Sequence, residues 1–203
     1  AESASLGGEV ELIDGFAYTN IFPGADSYAD VPAGDYLFKV APDTDTSGDA
    51  VYTSPSLTLE TGQEYTVIAA GYVLTTPAFG LLTTVDDNRP VVTQVSVKVV
   101  HGAPAAGTVD VYVTPAGAFT AAEVETGLAG DPLLDGFTFG DITGYVPVAP
   151  GSYDIRVVPE SSGTTAINVE GFPLAAGTVA TVIAREPIDV GTPSDFGLVV
   201  LTN

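Results

Sequence analysis

Hydrophobic residues recur at alternate positions over short stretches set between glycine- and proline-rich turns, the pattern of half-buried β-strands. The clearest case is Val95, Val97 and Val99 against Ser96 and Lys98, followed by Val109, Val111 and Val113. Nearer the start, Val10, Leu12, Phe16 and Tyr18 alternate with polar neighbours around Asp14-Gly15, a type I′ turn signal that predicts a strand or hairpin. Tyr28 to Val31 and Asp35 to Val40 read as two strands across the Pro32-Ala33-Gly34 corner, with Tyr36, Phe38 and Val40 on one face. Alternation resumes from Val51 to Leu59. Thr61-Gly62 reads as a hairpin corner into Tyr65 to Val73, a mostly apolar run that predicts a strand buried on both faces. Phe79 to Val85 is a further strand. Only Phe119 to Leu128 has helical character, with Thr120 placed to cap it and Glu123 three residues on.

One stretch occurs twice. Val31-Pro32-Ala33-Gly34-Asp35-Tyr36, running on to Pro42, returns as Val148-Ala149-Pro150-Gly151-Ser152-Tyr153, running on to Pro159, a displacement of 117 residues. Phe22, Tyr28 and Phe79-Gly80-Leu81 repeat at the same displacement, and Gly62 to Ala69 repeats at 115 as Gly177 to Ala184. Two copies of one fold follow. The expected architecture is all-β, two tandem immunoglobulin-like antiparallel β-sandwiches over residues 1–88 and 89–203, with Asp86 to Pro90 as the linker and an excursion at 114–136 in the second copy. Matching Val10-Glu11-Leu12 to Val109-Asp110-Val111 changes the displacement to 99, which leaves the first copy no counterpart of Val95 to Val100. We therefore expect the first sandwich to lack its first strand. An open sheet edge of that kind is adhesive, and strands from other chains close such gaps.

Composition narrows the function. With 26 acidic residues against 5 basic ones the net charge is -21, which repels nucleic acid and anionic membrane surfaces. Charged residues are 15% of the chain, too few for a disordered tail, so the carboxylates decorate folded sheets. The absence of cysteine removes disulfides and thiolate metal sites. A chain that opens Ala1-Glu2-Ser3-Ala4 reads as the product of signal-peptide removal or of trimming, so an extracellular or cell-surface location is expected.

Candidate chemistry is sparse. His101 is the only histidine, which leaves no His-based triad or zinc site; it reads as a hydrogen-bonding brace at the end of a strand, with Asp110 bracing the same loop. Asp43, Asp45, Ser47, Gly48 and Asp49 follow the opening of a calcium-binding loop, although Ser54 stands at the twelfth position in place of a bidentate glutamate. A solvated acidic hairpin tip is the stronger reading, and calcium is the one cofactor considered. Asp86 and Asp87 are a weaker metal pair, and no pair of carboxylates stands out for glycoside hydrolysis. No enzyme is expected.

The run Val100-His101-Gly102-Ala103-Pro104-Ala105-Ala106-Gly107-Thr108-Val109-Asp110-Val111-Tyr112-Val113, with Phe139-Gly140, Tyr145, Pro150-Gly151, Tyr153 and Leu174-Ala175-Ala176-Gly177, resembles the secreted family called domain of unknown function 4397. Ala103, Ala105 and Gly107 depart from the serine, aspartate and proline usual there. The resemblance implies an extracellular β-sandwich and no reaction. Taken with the absent strand, the expected function is a secreted structural protein that assembles into filaments by strand complementation, with Val10, Leu12, Phe16 and Tyr18 at the subunit interface. The alternative is a monomeric binding or adhesion module for calcium or glycans.

Overall fold

A computed structural model describes residues 12–41, 50–188 and 195–202. The chain divides into two all-β units, Ala1–Asp87 and Asn88–Asn203.

The second unit is a sandwich of two four-stranded sheets. In order along the chain, the first unit contributes β1 (Gly34–Tyr36), β2 (Lys39–Val40), β3 (Tyr52–Thr53), β4 (Leu57–Leu59), β5 (Glu64–Ala70) and β6 (Gly80–Asp86). The second contributes β7 (Val95–His101), β8 (Val109–Pro115), α1 (Ala121–Glu125), β9 (Leu134–Phe137), β10 (Val146–Val148), β11 (Gly151–Pro159), β12 (Ile167–Leu174), β13 (Val179–Arg185) and β14 (Gly197–Thr202). One sheet has the order β10-β7-β13-β14 and the other β12-β11-β8-β9. Val109 and Val111 from β8, Val157 from β11, Ile167 from β12 and Ala184 from β13 meet in a common core, with Leu198 and Phe137 against it. Alternation puts these side chains on the inner faces, where burial stabilises each one larger than alanine by about 1.5–3 kcal/mol. An apolar cavity of about 60 Å³ remains between the sheets, lined among others by Val99, Val111, Phe137 and Val182. Pairing is antiparallel except between β7 and β13, which run parallel, a departure from the antiparallel expectation. Parallel neighbours need a crossover, and here most of the unit lies between the two strands in sequence. The helix begins where the capping pair placed it. Thr120 accepts from the Glu123 N–H while the Glu123 carboxylate accepts from the Thr120 N–H at 2.7 Å.

In the first unit the described strands form three two-stranded pairs, β1–β4, β2–β3 and β5–β6. Each pair repeats a pairing of the second unit without slippage. Gly34↔Leu59 and Lys39↔Thr53 correspond to Gly151↔Leu174 and Arg156↔Asn168, and Tyr65↔Val85 corresponds to Ala180↔Thr202. Smaller features follow suit. The Tyr36 hydroxyl donates to the Pro32 carbonyl at 2.6 Å as Tyr153 donates to Ala149 at 2.8 Å, and Gly62 and Gly177 both take positive φ, +75° and +83°.

Four expectations are corrected. Residues 12–20 form no strand or hairpin although Gly15 has positive φ, and 28–31 form none. The run from Tyr65 is not buried on both faces, for Val67 is 36% exposed. Thr61-Gly62 is a crossover between separate pairs and not a hairpin, since β4 pairs with β1 and β5 with β6.

Candidate interaction site

What the first unit lacks can be derived from the second. There β7 lies between β10 and β13, and β8 lies between β11 and β9. Removing those two strands from both sheets leaves β11–β12 and β13–β14, with β9 and β10 stranded. The first unit keeps the same pairings: β1 and β2 with β4 and β3, and β5 with β6. Counterparts of β9 and β10 near residues 17–20 and 29–31 have no strand to join among the described residues, in keeping with the irregular backbone there. Among the described residues, 65–70 pair with β6 alone, whereas β13 pairs with β14 on one side and β7 on the other.

The open place is a face as well as an edge. Val182 and Ala184 of β13 are 6% and 8% exposed on the core side of the sandwich, while their counterparts Val67 and Ala69 are exposed, as is Val85 of β6 at 53%. Leaving such apolar surface in water forgoes roughly 25 cal/mol for each Å² that a covering strand would bury. On the other face of β5 lies a polar knot. Asp86, 6% exposed, accepts hydrogen bonds from Thr66 Oγ1 at 2.6 Å and from the Tyr28 hydroxyl at 3.1 Å. Asp86 is thus the last residue of β6 and lies in the strand instead of the linker. Of the residues assigned to an interface from sequence, Leu12, Phe16 and Tyr18 are 50%, 50% and 54% exposed, and Val10 lies outside the described residues. Asp43, Asp45, Ser47 and Asp49 lie outside them too. Among the described residues no group of three or more His, Cys, Asp or Glu is placed to hold a metal ion.

In the second unit His101 is 1% exposed at the end of β7. Its Nε2 donates to the Gly107 carbonyl at 2.9 Å and its Nδ1 accepts from the Ala103 N–H at 3.3 Å, which fixes one neutral tautomer. Desolvation by burial holds its pKa below the usual histidine value. The ring stacks on Phe137 at 6.0 Å and bridges the loop from β7 to β8. Asp110 braces a different segment, accepting from the Gly136 N–H of β9 at 3.0 Å. Sequence reading missed the buried pair on the outer face of β11, where Arg156 and Asp154 approach to 3.3 Å at 1% and 3% exposure. Asp154 also accepts from the N–H groups of Gly171 and Gly117, both at 2.9 Å, which chiefly hold its pKa below the usual carboxylate value. Gly117 belongs to the excursion, so Asp154 ties that segment to the sheet. Opposite charges two residues apart on one strand face, in a copy carrying an insertion, were the available signal.

Comparison with protein families returns one description, Domain of unknown function (DUF4397), matched over residues 6–112 and again over 117–203. The first match runs through β7 and into β8, strands that fold into the second unit. No curated protein matches the chain.

Proposed function

The chain belongs to the family described as Domain of unknown function (DUF4397), which covers nearly all of it in two copies, and we propose that it is a secreted structural protein whose copies join into filaments at the outer cell surface, an extended segment of one completing the first unit of the next. The observation that carries this reading is the difference in pairing: among the described residues 65–70 have a strand on one side, where β13 has one on each. A strand added there gains main-chain hydrogen bonds along one edge and sets its side chains beside Tyr65 and Val67 at the same time. The contact is heterologous, so it propagates unless the rotation between copies closes a ring. The exposed Leu12, Phe16 and Tyr18 supply further apolar surface for the joint. A net charge of -21 keeps such filaments from clumping side by side. Among the described residues no helix is long and apolar enough to cross a membrane.

Electron microscopy and light scattering of the purified chain over a range of concentrations test the proposal. Filaments with a regular axial repeat are expected, and Val67→Asp is expected to shorten or abolish them. A monomer at every concentration, with 65–70 protected from hydrogen exchange by the chain's own residues, overturns it. A monomer that takes up calcium or a glycan in calorimetry is the result expected of a binding module.

A further inference from the structure

We propose that the slot beside β5 is specific for an extended segment of another polypeptide that runs parallel to β5, sets apolar side chains opposite Tyr65 and Val67, and sets a lysine or arginine opposite Thr66. This rests on the reading of the first unit as a strand acceptor and specifies what it accepts.

The second unit contains the template. β7 lies parallel to β13 with Val97 opposite Ala180, Lys98 opposite Thr181 and Val99 opposite Val182. Since β5 and β13 hold their other neighbours, β6 and β14, in one register, the same alignment puts the incoming residues opposite Tyr65, Thr66 and Val67. The residues beside Tyr65 and Val67 then enter the face that is core in the second unit, which requires apolar side chains, β-branched ones fitting a pleated surface best.

The middle position faces the other way and calls for a cation. Lys98 is 3% exposed with its ammonium 4.4 Å from the centre of the Tyr145 ring. Tyr28 stands 117 residues before Tyr145, and its hydroxyl donates to the buried Asp86 that also accepts from Thr66. A cation delivered opposite Thr66 meets an aromatic ring and a carboxylate in a place of little solvent, where a glutamate would meet like charge. Arrival of the strand has a second effect. β7 also pairs with β10, whose counterpart is 29–31, so the incoming segment gives 29–31 a partner and draws it into the sheet.

The test uses the full chain and three synthetic peptides: the sequence of 95–101, the same with glutamate at the lysine position, and the reversed sequence. The chain has no cysteine, so single introduced thiols report direction without ambiguity. Binding of the first peptide is expected, with hydrogen-exchange protection appearing at both 65–70 and 29–31. A thiol at the C-terminus of that peptide is expected to cross-link to Ala70→Cys and not to Glu64→Cys. The glutamate peptide is expected to bind roughly tenfold more weakly, about 1.4 kcal/mol. Val67→Asp, at a site already in contact with solvent, is expected to leave the free chain folded and to weaken capture similarly. No capture, equal affinity for the lysine and glutamate peptides, or cross-linking at position 64 overturns the inference. Filaments that form while the peptide is ignored overturn it and leave assembly standing; a chain that captures the peptide yet stays monomeric supports it and removes assembly. Shortening of filaments by the peptide supports it with a second copy as the donor.

Discussion

The two units differ less in sequence than in what they bury. Among the described residues, seventeen apolar ones, from Val95 to Ala184, are buried in the second unit, while in the first the buried ones are Ser54 and Asp86, both polar. Register, turn glycines and the tyrosine-to-carbonyl bond are shared between the copies, so local geometry survives without the core that accompanies it elsewhere. A sheet's interior is made by its central strands. Withdraw two of them and every pair that remains is still correctly paired and still exposed.

The largest effect expected from this contrast is in hydrogen exchange. Amides of 179–184 should exchange only through global opening of the second unit, and those of 65–70 through local fraying that costs little. Equal protection in the two strands would break the comparison. Next comes Arg156→Ala, which leaves Asp154 buried without its cation and should cost roughly 3 kcal/mol in denaturant unfolding. The matching change Lys39→Ala falls on an exposed strand position beside Leu37, the 61% exposed counterpart of Asp154, and should cost under ~1 kcal/mol. Val157→Ala opens a hole in the core and should cost about 2 kcal/mol, whereas Val40→Ala at the equivalent half-buried position should cost under ~1 kcal/mol. Thr120→Ala removes a helix cap that, among the described residues, the second copy alone has, at about 1 kcal/mol.

The smallest effect is in pH dependence. A histidine held neutral by burial is neutral in folded and unfolded chains alike well above pH 6.5. As the pH falls below that value the unfolded chain takes up a proton that the folded one resists, so the second unit loses stability until the folded pKa is passed. His101→Gln should flatten that stretch of the curve while lowering its level. A further loss, from Asp154, should begin near the ordinary aspartate range and continue below it as its depressed folded pKa is crossed. The first unit holds no histidine and should not share the first of these steps.

Repeats were the most legible feature, because the same turn and the same alternation at a fixed displacement need no knowledge of partners. The cap at Thr120 was equally plain, being settled within four residues. Where the reading of residues 12–20 failed, the pattern was that of a strand, but a strand forms only beside a neighbour, and among the described residues 12–20 have none. The same lack leaves Val67 in water despite an apolar run that suited full burial. Lys98 erred in the other direction: its alternation with valines assigned it to solvent, and Tyr145, 47 positions away, takes it in. Burial of Arg156 and Asp154 depended on an excursion whose landing place no local pattern states.

The parallel arrangement of β7 and β13 has a mechanical consequence. Ser96 lies beside Val179, and Thr202 lies beside Ala180, so the chain enters and leaves the second unit at one end of a single sheet. Tension applied through those two points peels β7 and β14 away from β13 one hydrogen bond at a time, and never loads the whole ladder in shear. Were copies joined as proposed, a module strung that way would yield at low force and zip shut when released, and the filament would stretch before it snapped.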